Sequence, residues 1–331
     1  MSIQSDKTHE RRRRFVRTPS PNLRLTASDI EIIRQVGRYR FLRSADVVRL
    51  FPDRSPRKIV ERLCALYHAG YLDRPRAQLD YFAHSGSAPI IYALGNNGAQ
   101  VLAEFEGTSL LATDWCDKNR EVKRPYIHHA LLVAEVMIAF EVAMREREDL
   151  ALVNENSLLV TLPIATRRAI NPWTLTAELR QGLTRHVIPA TPDGVFALHF
   201  RNVDRRSYFF VEADRATMPI IRSDLSQSSY RRRLLAYLTA HQAKQHTQRL
   251  GIDNLRVLTI TTSAERIASM IATVNAITNG KGSNIFLFTD IAALASHGNP
   301  LTLPWQTTSA PVRLDTPPRS GATQSNHSLC E

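Results

Sequence analysis

The sequence predicts a mixed α/β protein of two domains. Three observations carry this. Residues 26–106 show three short stretches of helical periodicity followed by two short β-rich runs. Residues 195–211 read as a hairpin rich in β-branched and aromatic side chains, and helix, strand, helix and strand alternate after it. The length, 331 residues, allows two domains that each bury a core.

Composition narrows the partner. Lys and Arg total 43 against 31 Asp and Glu, a net charge of +12, which favours an anionic partner and most simply nucleic acid. A membrane surface is the competitor, but no segment reads as apolar enough to span a bilayer, and the N-terminus lacks the apolar core of a signal peptide. Cys64, Cys116 and Cys330 lie far apart and form no CxxC pair, so a disulfide framework or cysteine zinc site is not expected, and a reducing cytoplasm fits best. There is no P-loop and no GxGxxG, hence no sign of nucleotide binding.

Taken in order, residues 1–24 are polar and basic, with Arg11 to Arg14 as a run and Pro19 and Pro21 behind it, and are expected to be a disordered arm. Thr26 or Ser28 caps a helix carrying Ile30, Ile33 and Val36, and Ser44 a second with Val47, Val48 and Phe51. Ser55-Pro56 opens a third, with Ile59, Leu63 and Leu66 on one side and Gly70 to end it. A strand at 71–74, a polar excursion through Gly86, a strand at 90–94 and a helix with Val101, Leu102 and Phe105 complete residues 25–106.

Three helices and a β-ribbon describe a winged helix-turn-helix, whose third helix enters the major groove of double-stranded DNA. Its outer face would carry Arg57, Lys58, Glu61 and Arg62, with Arg74, Arg76 and His84 as ribbon contacts. The plain alternative is a solvated helix face in a domain used for protein contact or dimerisation.

Residues 107–125 read as a linker, and 126–295 as the second domain. Its first helix, 128–148, is apolar apart from Glu135 and Glu141. Strands are expected at 151–153 and 157–162, irregular chain over 163–187, and the hairpin over 195–200 and 207–211. A helix at 225–246, a strand at 255–261, a helix at 264–278 and a strand at 285–289 give an α/β sandwich with parallel pairing in its second half. Residues 296–331, rich in Pro, Ser, Thr and Gly, are expected to be a disordered tail.

The hairpin is the chemical focus. Asp193 precedes its first strand, while Glu212 and Asp214 end its second. Antiparallel pairing would bring Asp193 beside Glu212, and converging carboxylates are commonly explained by a divalent cation. The alternative is acids paired with Arg205, Arg206 or Arg215.

A basic winged helix, a helix opening with His, a Pro-Asp-Gly turn at 192–194, the FVEADRAT stretch at 210–217 and a helix carrying LLAY at 234–237 together resemble the replication-relaxation family of mobile-element proteins. The resemblance spans residues 26–290. It implies a second domain like the PD-(D/E)XK nucleases, whose motif has an acid opening one strand, an acid ending the next and a lysine two residues on. Asp193 and Glu212 match the two acids, as metal ligands and catalytic residues, and Glu135 the added helical glutamate. Asp214 stands where the lysine belongs, so Arg233 or Lys244 from the next helix would have to supply the basic group. An arginine cannot serve as a base. Three acids would suffice to hold Mg2+ for phosphodiester cleavage.

The leading expectation is therefore a DNA-binding protein of a plasmid or other mobile element, acting in replication or relaxation, with replication proteins or a second copy as further partners. An active Mg2+-dependent endonuclease and a transcriptional regulator are the rivals.

Overall fold

A computed structural model describes residues 15–18, 23–79, 89–107 and 114–317. The Arg11 to Arg14 run, His84, Gly86 and Cys330 lie outside the described residues. The chain divides into two units, residues 1–135 and 136–331.

The first unit opens with α1 (Ala27–Tyr39). Thr26 caps it, accepting from the Asp29 amide at 3.3 Å while its own amide donates to the Asp29 carboxylate at 2.8 Å. Strand β1 (Phe41–Arg43) and helix α2 (Ser44–Leu50) follow, then α3 (Pro56–His68) with proline at its first position, where the missing N–H costs nothing. Ile59, Leu63 and Leu66 of α3 are buried, as their spacing requires. Strands β2 (Leu72–Asp73) and β3 (Ile91–Leu94) join β1 in an antiparallel sheet of order β1-β3-β2. Helix α4 (Asn96–Glu106) packs so closely that a Cβ on Gly98 would fall 2.1 Å from the Tyr71 carbonyl oxygen.

The stretch 107–125 is more than a linker. It contains α5 (Trp115–Glu121), whose Asn119 is 1% exposed, donates to the Leu94 carbonyl at 2.9 Å and accepts from Arg40 at 2.7 Å. Arg17, within the stretch expected to be a disordered arm, donates to the carbonyls of Tyr67 and Leu72 at 3.1 and 3.2 Å. Phe41, Ile91, Ala93, Ile127 and Leu131 form a core in this unit, the last two contributed by α6 (Arg124–Met144).

Helix α6 corrects the reading that no segment is apolar enough to span a bilayer, since an 18-residue window of its 21 residues reaches a mean hydropathy of 1.6. Its apolar side chains are spent on packing: Ile127, Val136, Ile138 and Phe140 are all 0% exposed.

The second unit is built on a five-stranded sheet of order β10-β9-β8-β7-β4. Strands β4 (Leu150–Asn154), β7 (Gly194–Phe200) and β8 (Arg205–Ala213) pair antiparallel. Strands β9 (Arg256–Thr261) and β10 (Phe286–Asp290) continue the sheet in parallel, as the alternation predicts. One face packs Val195, Ala197 and Phe210 against α9 (Tyr230–Gln242) and α11 (Ala264–Ile277). On the other, Phe196 stacks on Phe209 and meets Phe140 at a tilt, at centroid distances of 5.0 and 4.6 Å.

Between β4 and β7 the chain departs from expectation. Residues 157–162 are not a strand, because Asn154 caps α7 (Glu155–Leu159) by accepting from the Ser157 amide at 3.0 Å. The short helix α8 (Ile164–Arg167) follows. Much of the stretch 163–187, expected to be irregular, belongs to an antiparallel ribbon of β5 (Leu175–Gln181) and β6 (Thr184–Ala190) joined through Gly182 and Leu183. Pro189 hid β6, since proline argues against a central strand yet is tolerated in a two-stranded one.

Helices α10 (Gln245–Leu250) and α12 (Ile291–His297) complete the unit. The expected disordered tail from 296 is corrected over 296–317. Trp305 there is 0% exposed, its ring nitrogen donating to the Pro300 carbonyl at 2.9 Å, and Gln306 bridges to Phe288.

Candidate functional site

Period two along β8 puts Phe210, Glu212 and, past the strand end, Asp214 on the side facing α9 and α11. Gly194 pairs with Val211, which sets Asp193 alongside Glu212. The Asp193 amide donates to the Val211 carbonyl at 2.9 Å, and its carboxylate accepts from the Ala213 amide at 2.9 Å. Asp193 thus closes the mouth of the β7–β8 hairpin.

Glu212 is 1% exposed and fully engaged. One oxygen accepts from the Arg233 guanidinium and the other from the Tyr237 hydroxyl at 2.5 Å. Burial raises its pKa to about 7, Arg233 opposing the rise and Asp193 adding to it. Burial works against the charge on Arg233 too, but the carboxylates of Glu212 and Asp193 hold its pKa above the ordinary value. Tyr237 is kept a phenol by burial and by Glu212.

Asp214 makes a separate pair. Arg266, on the first turn of α11, reaches both of its oxygens, one at 2.9 Å, and donates to the Met218 carbonyl at 2.7 Å. Thr261 donates to Asp214 at 2.6 Å. Sequence reasoning missed Arg266, although a signal existed. It is the third residue after the cap Ser263, a position where helices favour an acid, and an arginine there opposes the helix dipole.

These contacts decide how well the acids suit a divalent cation. Mg2+ needs carboxylate lone pairs at about 2.0–2.1 Å together with several waters. Both oxygens of Glu212 and both of Asp214 already accept from arginine, tyrosine or threonine. Among the described residues no group of three His, Cys, Asp or Glu side chains gathers in a metal-holding arrangement. The donor set as built does not fit Mg2+. Glu135, expected as an added acid, is paired in the first unit with Arg43 at 3.1 Å. Lys244, the other candidate base, is exposed at the start of α10.

The basic residues of the first unit sort into two kinds. Arg57 and Lys58 project into solvent from the first turn of α3; Arg57, 88% exposed at its side chain, leans on Glu61 at 2.8 Å. Lys58, with Asp53, Arg54, Ser55, Ile59 and Arg62, lines an open cleft of about 520 Å3. Arg76 is exposed as well.

The expectations for Arg62 and Arg74 as DNA contacts are corrected. Arg62 turns back to Asp29, which is 1% exposed, with bonds of 2.8 and 2.5 Å. It serves α1 rather than the outer face of α3. Arg74 is 6% exposed, lies over the Tyr67 ring at 4.1 Å and donates to the Tyr92 hydroxyl at 3.1 Å. An arginine sandwiched by tyrosines braces the sheet and has no free fork for a phosphate.

No curated protein matches the chain. Among solved structures it is similar to the SdaI restriction endonuclease at 13% identity, over 70% of this chain and 74% of that one, with a TM-score of 0.17. That likeness is too slight to carry an argument. Residues 33–254 match the replication-relaxation family; this stretch holds α3, Asp193, Glu212, Asp214 and Arg233, and is more than half of the chain. This chain belongs to the replication-relaxation family, which points to a role in the replication or relaxation of mobile elements.

Proposed function

We propose that the chain is a duplex-DNA-binding accessory protein of a mobile element. On this reading the first unit is a winged helix-turn-helix and the second a PD-(D/E)XK-like domain that has kept its acids but neutralises them with arginine. The observation that carries it is the exposed pair Arg57 and Lys58 on the outward first turn of α3, beside an open cleft, in a chain of net charge +12. The element order also supports it: three helices, then β2 and β3 completing a three-stranded sheet, is the arrangement that offers its third helix to a major groove.

The second unit supports binding over cutting. Metal-assisted cleavage needs a cation to polarise the phosphate and activate water. Asp214 and Glu212 each spend their lone pairs on arginine, and no lysine follows Glu212 at the motif position. Endonuclease activity is the rival reading, and a regulator of transcription would share the first unit.

The test is a gel-shift titration of the full chain on duplex DNA over a range of salt. Wild type should bind with an affinity that falls steeply with salt, and Arg57→Glu with Lys58→Glu should weaken binding roughly tenfold or more. Equal binding by the double variant would remove α3 from DNA recognition. Plasmid nicking in Mg2+ by wild type but not by Asp193→Ala would establish the endonuclease instead.

A further inference from the structure

The β5–β6 ribbon has a tip that the rest of the unit leaves uncovered. Its base is anchored, with Leu175, Ala177, Ile188 and Ala190 in the core. Gln245 grips the Thr176 backbone from both sides at 3.0 and 2.6 Å. At the end of β5, directly before the turn, the Gln181 carboxamide accepts from the Leu225 amide at 2.9 Å and donates to the Ser223 carbonyl at 2.7 Å. The ribbon is a braced projection.

Every residue from Arg180 to Arg185, the braced Gln181 included, is exposed. Gly182 at φ +59° begins the two-residue turn, and Leu183 stands at its apex with the full exposure of an isolated side chain. Arg180 and Arg185 are directly opposite each other in the register. Like charges so placed repel across a ribbon. Among the described residues only Arg185 is compensated, by Glu178. A leucine at the apex and two arginines facing each other behind it give up stability and solubility without any return inside the fold. They match a polyanion with an apolar interior reached through a narrow opening. That is the chemistry of the DNA minor groove, where apolar wedges press between base steps while flanking cations hold the phosphates.

We propose that the β5–β6 ribbon is a second contact with duplex DNA, entering the minor groove with Leu183 as a wedge against a base step and Arg180 and Arg185 on the phosphates of the two strands. This rests on the reading of the chain as a DNA-binding protein but uses none of the residues of α3. Leu179 still packs against the core, so the exposed run starts at Arg180 and rises roughly 7–10 Å to the apex at strand spacing, which matches a groove about 7.5 Å deep. A wedge unstacks the step it enters and bends the duplex.

The experiment uses the full chain and a short duplex carrying end-placed fluorophores for bending and 2-aminopurine for unstacking. Wild type should bring the ends closer and brighten 2-aminopurine at one step. Leu183→Ser should abolish both signals while keeping affinity within about threefold. Arg180→Glu with Arg185→Glu should weaken binding roughly tenfold and lower the salt slope by about two phosphate contacts. Because all three side chains are exposed, the variants should melt with wild type, so a loss cannot be laid to unfolding. Bending and affinity unchanged in both ribbon variants, with the Arg57→Glu, Lys58→Glu variant impaired, would overturn the ribbon and leave α3 standing. Ribbon variants impaired while the α3 variant binds normally would do the reverse. A wild-type chain that binds no duplex would overturn both.

Discussion

At the scale of single residues the chain holds two kinds of buried carboxylate, and they respond to pH in opposite senses. Burial opposes the charge of Asp29, but hydrogen bonds from Arg62 and Thr26 prevail and hold its pKa below the usual carboxylate value. Its contribution is present above the unfolded pKa near 3.8 and fades as pH falls through the lower folded value. Arg62→Ala would leave that acid buried without its cation, so a loss of about 2–3 kcal/mol is expected in denaturant unfolding. Arg57→Ala, at an exposed i,i+4 pair, should leave the unfolding midpoint where wild type has it. Equal losses for the two would mean that Asp29 does not depend on Arg62. Glu212 has the reverse sign. Its folded pKa is raised from 4.5 to about 7, so the stability tied to its protonated form is full below pH 4.5 and disappears as pH rises through 7. Glutamine copies the protonated acid at every pH. Wild type should therefore lose stability relative to Glu212→Gln between pH 4.5 and 7, by about 3 kcal/mol. A difference that stays flat across that window would show the carboxylate ionised against Arg233 throughout.

At the scale of elements, the region after α12 shows how packing overrides composition. Residues 298–317 contain enough Pro, Ser and Thr to look unstructured, yet Leu301, Leu303, Trp305 and Leu314 are all buried. Trp305 lies over Phe140 of α6 at 6.4 Å, and Gln306 exchanges two backbone bonds of 2.8 Å with Phe288 on the edge strand β10. That covers an edge that would otherwise invite pairing with another chain. Trp305→Ala should cost about 3–5 kcal/mol and lower the melting temperature by several degrees. A melting curve equal to wild type would return this region to the status of a loose tail. The same contrast explains what the sequence could and could not reveal. Helix α3 and the β7–β8 hairpin were legible because apolar spacing alone decides them: Ile59, Leu63 and Leu66 repeat at helical intervals, and β-branched runs flank 201–206. The β5–β6 ribbon and the strap at 298–317 were not, since Pro189 and the proline-rich composition are local signals that long-range burial outweighs. At the acidic cluster, Asp193 and Glu212 could be paired from register, whereas Arg266 comes from 52 residues beyond Asp214 and only the parallel β8–β9 crossing brings it there. Arg62 and Arg74 were misjudged because helix and ribbon periodicity says which way a residue leaves the backbone, not where a long side chain bends back.

At the scale of the whole molecule, a net charge of +12 coexists with acids sequestered in arginine pairs, and that distribution bears on metal dependence. A cation that binds only the folded chain stabilises it by mass action, by about 2.7 kcal/mol at a hundredfold excess over its dissociation constant. To bind at Asp193 and Glu212, Mg2+ would have to displace Arg233 and Tyr237 from Glu212 and leave a second buried positive charge beside the first. The arrangement therefore predicts that Mg2+ or Mn2+ at millimolar concentration leaves the melting temperature unchanged once ionic strength is matched. Asp193→Ala should melt lower with or without metal, because the Ala213 amide loses its acceptor and Arg233 one of its two facing carboxylates. Plasmid DNA incubated with the full chain and Mg2+ should stay intact while the same preparation shifts a duplex on a gel. A metal-dependent rise in melting temperature that Asp193→Ala abolishes would show that Arg233 yields its place, and nicking alongside it would make the second unit a nuclease. Metal-insensitive melting together with intact plasmid leaves a protein whose second unit holds Glu212 and Asp214 in pairs with Arg233 and Arg266.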